Sequence, residues 1–319
     1  MQFKYYNKVN LNIFTISILI FFIKWFFSFY EYGLENLFIK FLFNPSGDYT
    51  YFPFVHQLSN LTFNEGYSVL ANENNLIGFP FLVILFHAIF YKIFGLFGFF
   101  IIEFLCIFIF IKIFFEIFKE INFSDNFCFV LSFFLFSLLP FANFLNELDV
   151  PYAFNLKNLY SSFYSLRFPR PLITNLFFFG FILFAIKFFL SVDDKNKNKN
   201  LIIISIFLGL ILNSFFYFFI VCSLLTLIIF IFQYKLNIFN KERMFLLGKF
   251  FSVLIAISSF FLIQIIYIEN DYLARVGTFN LSPEIKIYLF DHLLKGFSKI
   301  EFLSILTINI FFYFLNIKL

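Results

Sequence analysis

Charge is what this chain has least of. Only 13% of its 319 residues are charged, against 61% hydrophobic, at a mean hydropathy of +0.90. So few polar groups cannot cover the surface of a soluble domain of this length. Cysteine is scarce too: Cys106, Cys128 and Cys222 each fall inside an apolar run, with neither metal spacing nor a disulfide framework. There is no Gly-rich phosphate loop, no His/Cys cluster with ligand spacing and no Gly-x-Ser-x-Gly elbow. Nucleotide-driven chemistry is therefore not expected, and nucleic acid is not an expected partner. Arginine is rare among the cations. Of 23 basic residues only Arg167, Arg170, Arg243 and Arg275 are Arg.

What fills the chain is phenylalanine, 65 residues of it, in long apolar runs. With the excess of Ile, Asn and Lys, this reads as the bias of an AT-rich genome rather than a use for phenylalanine. Leu11–Tyr30, Phe79–Phe94, Phe97–Phe115, Phe127–Phe141, Leu172–Leu190, Leu201–Phe232, Leu247–Tyr267 and Phe302–Asn316 are the candidate membrane segments. About 20 apolar residues cross a bilayer core. At about 1.5 Å per residue, Leu201–Phe232 would reach about 48 Å, so two helices broken near Asn213-Ser214 are expected. The expected fold is an all-α polytopic membrane protein of eight or nine membrane-embedded helices in a single domain, 1–319. Leu11–Tyr30 is too long for a signal-peptide core and is read as an anchor helix.

Lys and Arg in short loops set the expected orientation. Lys4 and Lys8 place the N-terminus in the cytoplasm, and Lys195, Lys197 and Lys199 place turn 191–200 there also. Loops 31–78, 142–171 and 268–301 then lie outside. An even number of crossings must separate the first two, yet three candidate segments do. Phe79–Phe94 is the preferred one to lie shallow, because it is short, begins at Pro80 and contains His87 and Lys92; Phe127–Phe141 is the alternative. Asn36–Phe43 and the helix begun by Ser282-Pro283-Glu284 read as interfacial helices.

Three polar stretches hold most of the chemistry-bearing side chains: NPSGDYTYFPFVHQ around Asp48, the segment from Glu147 to Pro171, and ENDYLARVG around Asp271 and Arg275. Asp48 has two readings, a general base or metal ligand at the membrane surface and an N-cap for the following helix. Spacing alone favours the cap. His56 is a further acid/base candidate in the same stretch. Arg167 and Arg170, stiffened by Pro169 and Pro171, suit a phosphate, which a guanidinium grips bidentately; snorkelling to headgroups or pairing with Glu147 or Asp149 is the plainer account. Asp271 and Arg275 are spaced as an i,i+4 helix pair. Glu103 lies within an apolar run, where an acid needs a partner; His87 and Lys92 are the expected ones. Lys24 and Lys187 are expected to snorkel.

The early acid in GDYTY, the Pro-led segment FPFLVILFHAIFYKIFG at 79–95 and the broken pair with GLILNSFFYFFI at 209–220 together resemble the GT-C-type integral membrane glycosyltransferases over roughly residues 1–235. The resemblance implies transfer of a sugar from a polyprenyl-phosphate donor at the outer face of a bacterial inner membrane. It assigns catalysis or metal binding to Asp48. Tyr49 stands where that family often has a second acid, which weakens the case for a divalent metal. A minimal or truncated member of that family is a further alternative. A glycan polymerase or ligase, a lipid-linked-sugar flippase and a solute transporter are the alternatives.

Overall fold

The computed structural model describes residues 9–22, 25–26, 29–30, 33, 52–62, 81–147, 170–234, 240–267, 287 and 291, with side chains omitted at 138–147, 170–171, 216–217 and 264–267. Among the described residues the regular structure is helical throughout, with no strand. The chain forms two compact units, Met1–Glu269 and Asn270–Leu319. In the second, Ile287 and Asp291 are helical and exposed. The candidate segments Asn36–Phe43 and Phe302–Asn316 lie outside the described residues.

In the first unit the helices are α1 (Val9–Phe22), α2 (Phe52–Ser59), α3 (Phe81–Phe94), α4 (Phe97–Glu120), α5 (Asp125–Glu147), α6 (Arg170–Leu190), α7 (Asp194–Leu212), α8 (Phe216–Tyr234) and α9 (Lys241–Tyr267). Three stretches are long and apolar enough to cross a membrane: Phe97–Glu120, Leu172–Leu190 and Lys241–Ile263. Their outward faces are as oily as their inward ones. Leu105 and Ile109 of α4 and Ile255 and Ile263 of α9 are exposed, while Phe110, Phe181 and Ile211 are fully buried. A helix apolar all round belongs in lipid or in a large core.

Pairwise contacts fix the direction of each helix. Phe14 meets Phe104 and Phe108, and Trp25 meets Phe100, so α1 runs antiparallel to α4. Lys119 beside Asp125 and Phe136 on Phe110 make α5 antiparallel to α4. Phe179 on Phe110, with Lys187 beside Glu116 and Glu120, makes α6 parallel to α4. Gly180 faces Phe207, and Asn200 reaches Ser191, so α7 turns back along α6. Phe178 on Phe218 and Phe188 beside Tyr234 set α8 parallel to α6. Gly209 against Ile257 and Arg243 on Asp194 set α9 parallel to α7.

One end of the bundle therefore collects the start of α1, the end of α4, the start of α5, the end of α6, the start of α7, the end of α8 and the start of α9. This is the charged end. Lys119 pairs with Asp125 at 3.6 Å, Lys187 with Glu120 at 3.4 Å and Glu116 at 3.8 Å, and Arg243 with Asp194 at 3.0 Å. Lys187 was expected to snorkel; it lies instead between two carboxylates of α4. Asp193 caps α7 by accepting the N–H of Asn196 at 3.3 Å, so residues 194–200, expected as a turn, are the first two turns of that helix. A carboxylate at a helix start also faces the positive end of its dipole.

The expected break between α7 and α8 falls at Asn213-Ser214, at the opposite end of the bundle, where it is the turn of a helical hairpin. Asn213 donates from Nδ2 to the carbonyls of Gly209 (2.8 Å) and Ile257 (3.0 Å), closing α7 and tying it to α9.

α3 lies across that opposite end. From its C-terminus backward, Tyr91 and His87 meet Phe99 at the first turn of α4, Phe86 meets Phe177 of α6, Leu82 N–H donates to the Asn213 carbonyl at 3.5 Å, and Phe81 stacks on Phe260 of α9. A helix running down the bundle would instead have followed a single neighbour. α5, the other candidate for a shallow segment, is 23 residues long, about 35 Å. The α3–α4 turn passes through Gly95 at φ +59° and brings Gly98 onto the α3 backbone; a Cβ there would lie 2.3 Å from the Phe90 carbonyl oxygen. At Gly180 the clash would be with the Phe207 ring, which can rotate. Gly98→Ala is thus expected to lower the melting temperature of the detergent-purified protein more than Gly180→Ala, by about 1–3 kcal/mol of overpacking. Equal melting temperatures would show that the turn yields.

Candidate functional site

Most buried hydroxyls in this bundle are satisfied by their own helix. Ser17, Ser132, Ser205, Ser214 and Thr226 donate back to carbonyls three or four residues earlier. The polar groups left over are unevenly distributed. Asn200 is at the charged end, on Ser191. Glu103 is six residues from the start of α4, Thr174 and Asn175 four and five from the start of α6, Asn213 at the end of α7 and Ser258 nine from the end of α9, and every one is buried. With His87 of the transverse α3, they give the end opposite the charges a polar interior. The Thr174 and Ser258 hydroxyls are buried with no hydrogen-bond partner among the described residues.

Glu103 is the pivotal member. It is 3% exposed, and the indole N–H of Trp25 donates to its Oε2 at 2.9 Å. The expected partners were His87 and Lys92. Lys92 is exposed, and the indole that bonds to Glu103 stands 78 residues earlier, three beyond the described end of α1. Trp25 was missed by the sequence reading. Its signal was there, since it is the one tryptophan in the chain, and a buried indole N–H seeks an acceptor. The Trp25 ring also meets Phe100 edge-on at 4.5 Å, which holds the donor in place.

His87 is fully buried, with Nδ1 2.7 Å from the Val83 carbonyl oxygen. A carbonyl only accepts, so Nδ1 carries the proton and Nε2 is the acceptor nitrogen of the ring. Phe99 lies beside His87 and Tyr91 and also touches Phe52 of α2. His56 on α2 is exposed, edge-on to Tyr91 at 5.9 Å and 3.4 Å from Asn60. The structure thus brings His56, His87 and, one turn deeper on α4, Glu103 to the same end of the bundle.

Asp48, Asp149, Arg167, Asp271 and Arg275 lie outside the described residues. Glu147 is the last residue of α5 and Arg170 the first of α6, so both belong to helix ends on the polar side. No group of three or more His, Cys, Asp or Glu side chains suited to a metal ion occurs among the described residues. Comparison with protein-family models, curated proteins and solved structures finds no match to the chain.

The Trp25–Glu103 bond ties the residues just after α1 to α4 inside an apolar bundle, where a hydrogen bond contributes about 0.5–1.5 kcal/mol. Trp25→Phe and Glu103→Gln should each lower thermal stability. In a double-mutant cycle they should couple by about 0.5–3 kcal/mol. Strict additivity would mean that the two side chains act independently.

Proposed function

We propose that the chain is a polytopic protein of a bacterial inner membrane that transfers a sugar from a polyprenyl-phosphate donor at the end of the bundle opposite the charges. In this reading α1 and α4 to α9 cross the bilayer, α3 lies shallow, and segment 302–316 adds one further crossing. The lysine-rich charged end faces the cytoplasm with the N-terminus, by the excess of Lys and Arg in its connections. The polar end faces outward.

The observation that supports this most is the parity of the helices. α1 and α5 finish at the polar end and α6 starts there, so the stretches carrying Asp48 and Glu147 to Arg170 both attach to that end. Two groups of candidate residues dispersed over the sequence can then serve one site. Asp48 would take the proton of an acceptor hydroxyl as general base. Arg167 and Arg170 would hold the donor phosphate and stabilise the charge that develops on it as the glycosidic bond breaks. His56 and Tyr91 border the same end.

A transporter is less well supported. Transporters place discontinuous helices at mid-depth, around their substrate, whereas the α7–α8 break lies at the end of the bundle.

Single cysteines at 48, 149, 167 and 275 should all react from outside intact cells with a membrane-impermeant thiol reagent. In membranes given polyprenyl-phosphate sugars, Asp48→Asn should reduce transfer by about 10²–10⁴-fold, the usual contribution of a general base, with normal expression. Labelling of 149 or 167 only after permeabilisation, or full activity of the Asn variant, would refute the single-site mechanism.

A further inference from the structure

A second feature, distinct from the proposed transfer site, extends along the bundle toward the charged end. α7 forms the floor, and α8 and α9 the walls, of a groove of about 340 Å³. Its lining is hydrocarbon apart from two hydroxyls, Ser223 and Thr226, and Thr226 already donates to the Cys222 carbonyl at 2.8 Å. The volume falls within the range of small-molecule sites. On α8 the lining runs from Phe219 to Phe230, about 17 Å by helical rise, so the groove is drawn out along the helices as a single aliphatic chain is.

The groove leads to cations. Phe230 lies one turn before Tyr234, and Leu247 one turn after Arg243. The Arg243 guanidinium lies 4.0 Å over the Tyr234 ring and pairs with Asp194 at 3.0 Å. With five N–H donors it is not saturated by one carboxylate. Lys195 and Lys199 in the first two turns of α7 and Lys241 at the start of α9 are exposed. Residues 193–200 and 240–249 together contain six basic side chains against three acidic ones. An oily slot that ends at a positive rim fits a ligand with one aliphatic chain to bury and a negative phosphate to present. Basic pockets between membrane helices take anionic headgroups in this way.

We propose that the α8–α9 groove binds one acyl chain of an anionic phospholipid, whose phosphate is held by Arg243 and the lysines at the starts of α7 and α9. The lipid tethers α9 to the α7–α8 hairpin. It is a resident of the leaflet at the charged end rather than a substrate, and it differs from the polyprenyl donor in both face and site.

The test is native mass spectrometry of the full-length, detergent-purified protein offered phosphatidylglycerol or phosphatidylcholine with identical chains. Retention of one phosphatidylglycerol with a preference of at least about tenfold is expected, given about 1 kcal/mol for each basic residue near an anionic lipid. Ser223→Phe, which fills the groove, should abolish retention of both lipids. The double variant Lys195→Gln/Lys241→Gln should keep the protein's melting temperature but lose most of the preference. Equal retention of the two lipids, or a Ser223→Phe protein that still holds phosphatidylglycerol, would overturn the proposal. So would a lipid-free dimer that Ser223→Phe dissociates, because a second copy would then be the occupant. Loss of sugar transfer in Asp48→Asn has no bearing on any of these readouts.

Discussion

Antiparallel pairing of α1 with α4 constrains everything else in the bundle. Trp25 bonded to Glu103 near one end, and Val9 and Asn10 beside Lys112, Glu116 and Lys119 at the other, hold the two helices in that relation. Whatever lies between them in sequence must then leave and rejoin the bundle at the same end. α3 could run the length of the bundle and turn into α4 at Gly95-Leu96 only if the chain before it first crossed to the charged end. Its contacts with Phe99, Phe177, Asn213 and Phe260 place it across the helix ends instead, and its fourteen residues, about 21 Å, are enough to reach from α4 to α9. The transverse helix is consistent with the pairing of α1 and α4.

The two ends are chemically different for a related reason. Helices joined by very short connections at the charged end, α4 to α5 and α6 to α7, bring their terminal residues close together, and opposite charges there find one another. Lys187 between Glu116 and Glu120 also relieves the repulsion of two carboxylates four residues apart on one helix. Partly exposed pairs of this kind contribute little stability each. Their effect is on register, since Arg243 can meet both Asp194 and Tyr234 in only one alignment of α7, α8 and α9.

Features set by composition over twenty residues, or by a local rule, were legible in the sequence. The helical class, the division at Asn213-Ser214 and the distinct short helix at 81–94 all came from run length, Pro80 and the parity of charged loops. Features set by two distant residues were not. Glu103 announced that it needed a partner, but finding Trp25 requires the antiparallel alignment of α1 and α4, which no local pattern carries. Lys187 was misread because snorkelling is the right default for a lysine near a helix end; only the parallel packing of α6 on α4 supplies the two acids. Residues 194–200 were misread because a run of Asn and Lys resembles a solvated turn. The Asp193 cap and the following apolar face of α7 outweigh that composition. Of the candidate site, His56, His87 and Glu103 were legible individually as polar exceptions in an oily chain. Their convergence at one end was not, because it depends on α3 lying crosswise.

That convergence separates two demands on the fold. At the charged end, side chains pair with one another and with helix termini, and each pair closes a connection. At the other end, Asn213 ties helices together through backbone carbonyls, while Glu103, His87, Thr174, Asn175 and Ser258 put polar atoms into an apolar interior. Burying such groups costs free energy that a purely structural bundle would avoid by using leucine. A bundle anchored at its charged end can carry that cost at the other, where the long polar connections of the chain also attach. The asymmetry is what a membrane protein needs if one end holds the helices in register and the other is to meet a substrate.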